Sequence, residues 1–102
     1  MCGIVAVTGY RQAVPLLISG LEKLEYRGYD SSGIAIISSE KNDLVCNKSA
    51  GKLKNLVSKV GNEEISGTVG IGHTRWATHG KPEVKNAHPH IDSSGTIAVV
   101  QN

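Results

Sequence analysis

Residues 4–8 read IVAVT. Four of the five are β-branched, and no strongly polar residue alternates with the apolar ones. The stretch predicts a strand covered on both faces rather than a half-wet edge. Gly9 ends it. What must lie on either side of this strand sets the fold. Ile34-Ala35-Ile36-Ile37 repeats the pattern, and Leu44-Val45-Cys46-Asn47 pairs back on it as a hairpin across the polar turn Glu40-Lys41-Asn42-Asp43. From Thr68 to Thr74 a further strand pattern runs. Val69, Ile71, His73 and Arg75 share one parity, and Thr68, Gly70, Gly72 and Thr74 the other, so one face is small enough for a neighbour to pack close. Thr96–Val100 reads as a last strand, running into Gln101-Asn102.

Helical spacing lies between the strands. Val14, Leu17, Ile18, Leu21 and Leu24 fall on one face, with Pro15 in the first turn, where its missing N–H costs nothing. Gly20 either costs about 1 kcal/mol in that helix or allows tight packing. Arg27-Gly28 ends it, and Tyr29-Asp30-Ser31-Ser32-Gly33 is a polar turn. A second amphipathic segment begins at Ser49 or Ala50, with Ser49 the available cap and Leu53, Leu56, Val57 and Val60 inward. The order β-α-β-β-α-β-loop-β, with strands buried on both sides, predicts a layered α/β or α+β sandwich. The short polar exit after the last strand predicts one uncovered face, and hence a part of a larger fold.

The composition bounds the function. The 102 residues carry 11 Lys+Arg against 9 Asp+Glu, a net +2 with His neutral. That balance, without a basic cluster, argues against nucleic acid as a partner. No apolar stretch approaches the roughly 20 residues of a membrane helix, and no leader pattern opens the chain, so a cytoplasmic protein is expected. Cys2 and Cys46 do not make a disulfide framework.

Cys2 admits two readings. Cysteine is among the most buried residues and often merely packs. Its position points elsewhere, because methionine ahead of a small residue is usually trimmed. Loss of Met1 would leave Cys2 with a thiol and a free α-amine. Such an amine titrates near 7.7–8.0 and can serve as the local base without a histidine. Gly3 would leave room for a substrate beside the sulfur.

A second cluster is His73-Thr74-Arg75-Trp76-Ala77-Thr78-His79-Gly80. Arg75 could be a surface ion-pair partner, or its planar fork could clamp a carboxylate. Thr74, Thr78 and His79 supply donors and acceptors around it, and Trp76 suits a lid or packing wall. His73, His79, His88 and His90 tempt a metal reading, but no sharp ligand motif appears, and hydrogen bonding within an ordered loop fits better. Arg27-Gly28-Tyr29-Asp30-Ser31, with Tyr26, is a dense polar turn that is either plain or an ordered, partly buried part of a site. Asn102 could present its amide to an oxyanion.

Cys2-Gly3-Ile4-Val5, Leu24–Ser31, His73–Gly80 and Asn86-Ala87-His88-Pro89-His90 together closely resemble the glutaminase domain of class II glutamine amidotransferases. Within that family the branch that aminates fructose 6-phosphate is most similar, the Trp of HTRWATHG favouring it. The resemblance implies an α+β, four-layer αββα sandwich of the N-terminal-nucleophile hydrolase type, incomplete here. Residues 1–102 would be the N-terminal part of that domain, with later glutaminase strands and the sugar isomerase domains absent. By the same resemblance Cys2 is the nucleophile that attacks L-glutamine, with its own α-amine as base. Arg75 holds the substrate α-carboxylate, Thr78 and His79 line the glutamine pocket, and Trp76 gates the ammonia path. Arg27 lies near the nucleophile, and Asn102 is the oxyanion-hole donor. The family follows this Asn with a Gly that completes the hole, and many relatives carry His where Gln101 stands. Thiolate chemistry needs no cofactor and no metal. Fructose 6-phosphate would be met only through the isomerase part, and the parent protein would be homo-oligomeric. The alternative is a non-catalytic truncated or split fragment that needs a partner chain to complete its fold.

Overall fold

The computed structural model describes residues 2–63, 65–76 and 80–102. Its strands are β1 (Gly3–Thr8), β2 (Ser31–Ile37), β3 (Leu44–Ala50), β4 (Val69–Arg75), β5 (His90–Ile91) and β6 (Ala98–Val99), and its helices are α1 (Ala13–Leu24) and α2 (Leu53–Gly61). A four-stranded antiparallel sheet has the order β1-β4-β2-β3, and β5 pairs with β6 in a second, two-stranded sheet. β4 therefore sits between β1 and β2, and sets the start of β1 beside the end of β4, with Gly3 opposite Thr74.

Both helices pack on one face. Ala13, Leu17 and Leu21 of α1 meet Ile34 and Ile36 of β2, and Leu53, Leu56 and Val60 of α2 extend the same core. Burying a Leu or Ile side chain fully contributes about 1.5–3 kcal/mol, so this one-sided layer dominates the stability. The small parity of β4 is what lets α1 approach. A Cβ on Gly70 would lie 2.9 Å from Leu17 Cδ1, and one on Gly72 3.2 Å from Leu21 Cδ1. Gly20 answers from the helix side, where a Cβ would lie 2.9 Å from Val5 Cγ2. The expected tight packing at Gly20 is therefore the reason for that glycine.

The opposite face of the sheet is covered in part. Over β2, the His88 carbonyl comes so close to Gly33 that a Cβ there would be 2.1 Å from it. Lys48 Nζ donates to the Ala87 carbonyl at 3.0 Å and pins the same segment over β3. Farther along, Ile97 and Ala98 stand off Ala35, Ile37 and Ile71 across an open cavity of about 550 Å³.

Several expectations change. Of the polar turn Tyr29-Asp30-Ser31-Ser32-Gly33, Ser31, Ser32 and Gly33 lie in β2, paired with β3 and β4. Val57, expected inward on α2, is exposed, because only Leu53, Leu56 and Val60 reach the core. β1 is not covered on both faces: it is an edge strand whose inner side packs on α1 while Ile4, Ala6 and Thr8 face outward, Ile4 with 39% of its surface exposed. β2, in the sheet interior, is the strand that both layers bury. Ser49 does not cap α2, because β3 continues through Ala50 in register with Ser31, and the helix starts three residues later at Leu53. Its first N–H is instead satisfied by Glu25 Oε2 at 2.8 Å, a partner from a distant turn. The last strand is shorter than Thr96–Val100, and its partner β5 begins at His90, where no strand is expected. Among the described residues no helix is long and apolar enough to cross a membrane.

Candidate active site

Cys2 stands just ahead of β1, where the antiparallel register brings it to the end of β4. The Trp76 N–H donates to Cys2 Sγ at 3.5 Å, and the thiol lies 3.9 Å from the Trp76 carbonyl. The 3-10 turn Glu25–Arg27 that follows α1 closes the other side. There Arg27 Nε donates to the Cys2 carbonyl at 3.1 Å. Gly28 lies flat against the Arg75–Trp76 peptide: a Cβ at Gly28 would meet Arg75 C at 2.5 Å and Trp76 N at 2.7 Å. Asp30 N–H donates to the Arg75 carbonyl at 3.2 Å, and the Tyr29 ring meets Trp76 edge-on with centroids 5.6 Å apart. The dense polar turn thus holds both the nucleophile candidate and the loop facing it. Tyr26 takes no part in burial and is 75% exposed.

Arg75 does not lie on the surface. It is buried, and Nη1 donates to the Lys81 carbonyl at 3.1 Å, which draws the loop after Gly80 back toward β4. Asn86 Nδ2 donates to the same carbonyl at 3.0 Å. Trp76 is half exposed. Gly3 does not open space beside the sulfur. A Cβ there would meet Leu24 Cβ at 2.9 Å and Thr74 Oγ1 at 3.0 Å, so its smallness serves packing under α1. Thr78 and His79, and with them Met1, lie outside the described residues.

On the same side of the sheet as Arg75 stands a stack of imidazoles. His73 lies parallel to His88 with centroids 4.2 Å apart, and His88 tilts against His90 at 4.3 Å. Burial pushes His88 down to about 4, helped by His73, His90, Arg75 and Lys48. Burial likewise lowers His73, with Arg75 and His90 adding to it, while the Gln101 carbonyl and Asp30 oppose. Among the described residues no group of three or more His, Cys, Asp or Glu could hold a metal ion. Cys46 sits on β3, at the opposite edge of the sheet from β1, and burial raises its thiol. Asn102 is exposed, and the residue before it is tied to β4 by a 2.9 Å contact between the Gln101 carbonyl and His73 Nε2.

The arrangement joins Cys2, Arg27 and Trp76 directly, with Arg75 next in the chain. Gly28 and Tyr29, which the sequence leaves as either a plain turn or a part of a site, enter as neighbours, and His73, expected to hydrogen-bond within a loop, lies on β4. Their signal was there, in a glycine set between Arg and Tyr and in a histidine on the inward parity of β4.

No family model matches the chain. A glutamine–fructose-6-phosphate aminotransferase (isomerizing) from Gloeobacter violaceus is 59% identical over all of the chain, which covers 17% of that protein. One from Streptococcus agalactiae serotype III is 58% identical, again over the whole chain and 16% of the relative. Over its whole length the chain is similar to a part of these aminotransferases. It spans about one-sixth of the length of these relatives. The fold is also similar to that of the glutamine phosphoribosylpyrophosphate amidotransferase from B. subtilis, solved with ADP and GMP. That likeness has a TM-score of 0.70 at 25% identity and covers 88% of this chain and 18% of that one. The fold is thus of the amidotransferase kind, with Cys2 just ahead of β1.

Proposed function

We propose that this chain is the N-terminal part of the glutamine-hydrolysing domain of an aminotransferase that converts fructose 6-phosphate to glucosamine 6-phosphate. The observation that carries the reading is the setting of Cys2: its sulfur lies on the Trp76 N–H, directly after the buried Arg75. Removal of Met1 gives Cys2 an α-amine that takes the thiol proton. The sulfur forms a bond to the δ-carbonyl carbon of L-glutamine, and the C–N bond breaks. The amide nitrogen takes that proton and leaves as ammonia. Water then cleaves the γ-glutamyl thioester, returning the thiol and glutamate. Arg75 pairs with the substrate α-carboxylate, a task for its planar fork. Thr78 and His79 line the same pocket, Trp76 screens it, and Arg27 holds the main chain of Cys2. Asn102 donates to the oxyanion with a backbone N–H that follows it in the family.

In this reading the two-stranded β5–β6 sheet is the start of the second sheet of an αββα sandwich, and later strands complete it. Ammonia passes to fructose 6-phosphate in the sugar isomerase part of a homo-oligomeric cytoplasmic enzyme, with no cofactor in the glutaminase step. Glutamate release from glutamine tests the reading, with Cys2→Ala as control. The expected result is release by the unaltered enzyme and none above background by the variant; equal release by both overturns the nucleophile. A second reading is favoured by the partly open outer face, where Ile37 is 46% and Val69 39% exposed. In it these residues act as a non-catalytic piece completed by a partner chain. Sedimentation separates the two, since a stable monomer speaks against any need for a partner.

A further inference from the structure

We propose that His73 is a positioning residue for glutamine hydrolysis: by donating its Nε2 proton to the Gln101 carbonyl, it sets where the adjoining Asn102 amide stands. This rests on the reading of Asn102 as an oxyanion donor. A carbonyl only accepts, so at 2.9 Å the imidazole nitrogen must carry the hydrogen. His73 is then the Nε2–H tautomer, with Nδ1 bare. Among the described residues Nδ1 is in fact buried without a hydrogen-bond partner. Such a nitrogen carries less cost unprotonated and under an aromatic face than as an orphaned donor.

The ring has little freedom to choose another partner. It is fully buried on β4, between Ile4 of β1 and Gly33 of β2 in the sheet register. Its face is covered by His88, whose own segment is seated by the close approach of its carbonyl to Gly33 and by the Lys48 bond to Ala87. By contrast, the chain around Gln101 has little of its own to hold it. β6 makes only the pairs Ala98–Ile91 and Val99–His90, and both Gln101 and Asn102 are exposed. The rigid end of the contact is therefore His73 and the adjustable end is the main chain before Asn102. The same strand carries Arg75 two residues on and lies beside β1, which Cys2 opens. One strand thus fixes the carboxylate clamp through its sequence and the oxyanion donor through a side chain. An oxyanion donor works only if held where the charge develops, so a loosened Asn102 lowers turnover while leaving substrate binding in place.

The test measures kcat and KM for glutamine hydrolysis in the full-length enzyme for His73→Phe and His73→Gln. His73→Phe keeps a flat apolar ring and loses the donor; kcat is expected to fall about 10–100-fold with KM within about threefold. His73→Gln places an amide N–H near the lost Nε2–H and is expected to restore kcat to within about fivefold of the parent. Unchanged kcat in His73→Phe overturns the proposal, as does a folded His73→Gln no better than His73→Phe, or a loss confined to KM. Nitrogen NMR of the unaltered protein gives a reading that needs no variant: Nε2 of His73 is expected protonated and Nδ1 bare, and the reverse tautomer overturns the contact. If the unaltered enzyme and Cys2→Ala are equally inert, the glutaminase reading itself fails, whereas the tautomer still decides the His73–Gln101 bond.

Discussion

Gly28 shows how a single hydrogen atom in place of a side chain can hold a site together. Its would-be Cβ meets main-chain atoms of Arg75 and Trp76 rather than the end of a flexible side chain. Backbone in the middle of a paired strand end has little room to yield. Gly28→Ala is therefore expected to cost about 1–3 kcal/mol, as overpacking does, and to move the Trp76 peptide off the Cys2 sulfur. Chemical unfolding measures the first effect. The emission of Trp76, the sole tryptophan, follows the second, through its edge contact with Tyr29. An unshifted urea midpoint together with unaltered emission would mean that the turn adapts freely. A plain turn predicts a glycine here just as well, and the sequence did not distinguish the two. Only the approach of β4 from some 45 positions away makes the absence of a Cβ necessary.

At the scale of elements, α1 and α2 differ in what fixes them. α1 is specified by its own stripe, and its Leu17 and Leu21 are fully buried against β2 and β4. Leu17→Ala is expected to destabilise the protein by about 2–5 kcal/mol, measured by thermal or denaturant unfolding. α2 is shorter, and no side chain of its own N-cap residue, Lys52, serves it. The carboxylate of Glu25 does so instead, accepting from Leu53 N–H at 2.8 Å. A negative group at a helix N-terminus also meets the positive end of the dipole. Glu25→Ala is expected to cost about 0.5–2 kcal/mol and to raise amide exchange in the first turn of α2 more than in α1. Equal protection in both variants of α2 would remove this cap from the account. Helix existence was legible because its apolar period is local. The start of α2 was not, because β3 pairs on through Ser49 and Ala50 and the cap comes from another element.

For the whole molecule, the histidine stack ties the outer layer to the sheet and makes stability depend on pH. His88 falls from an ordinary value of 6.5 to about 4 in the fold, chiefly by burial and then by His73, His90, Arg75 and Lys48. Between these two values the unfolded chain binds the proton and the folded chain does not. Stability is therefore expected to fall as pH drops from about 6.5 toward 4 and to be unaffected by this group above that window. His73, lowered in the same direction, adds to the loss, with Asp30 its one opposing charge nearby. Asp92, held to about 2 by Ser94, Ile97 and Thr96, gives a later loss as pH falls below about 4. Urea midpoints taken from pH 7 to 4 check the first window; a flat profile would show that the stack is solvated. The sequence by itself determined the alternation of strands and helices, the inward stripe of α1 and that of α2 apart from the exposed Val57, the small parity of β4, and, through four short motifs, the likeness to the amidotransferases. Each of these is written in local spacing or in residue identity. Only the tertiary structure decided that β1 is an edge, that β4 lies between β1 and β2, that Arg75 is buried, and that His73 reaches Gln101. Those facts depend on which distant segments come together, and pairing across the sheet is set by the packing of the whole core rather than by any one stretch of the chain.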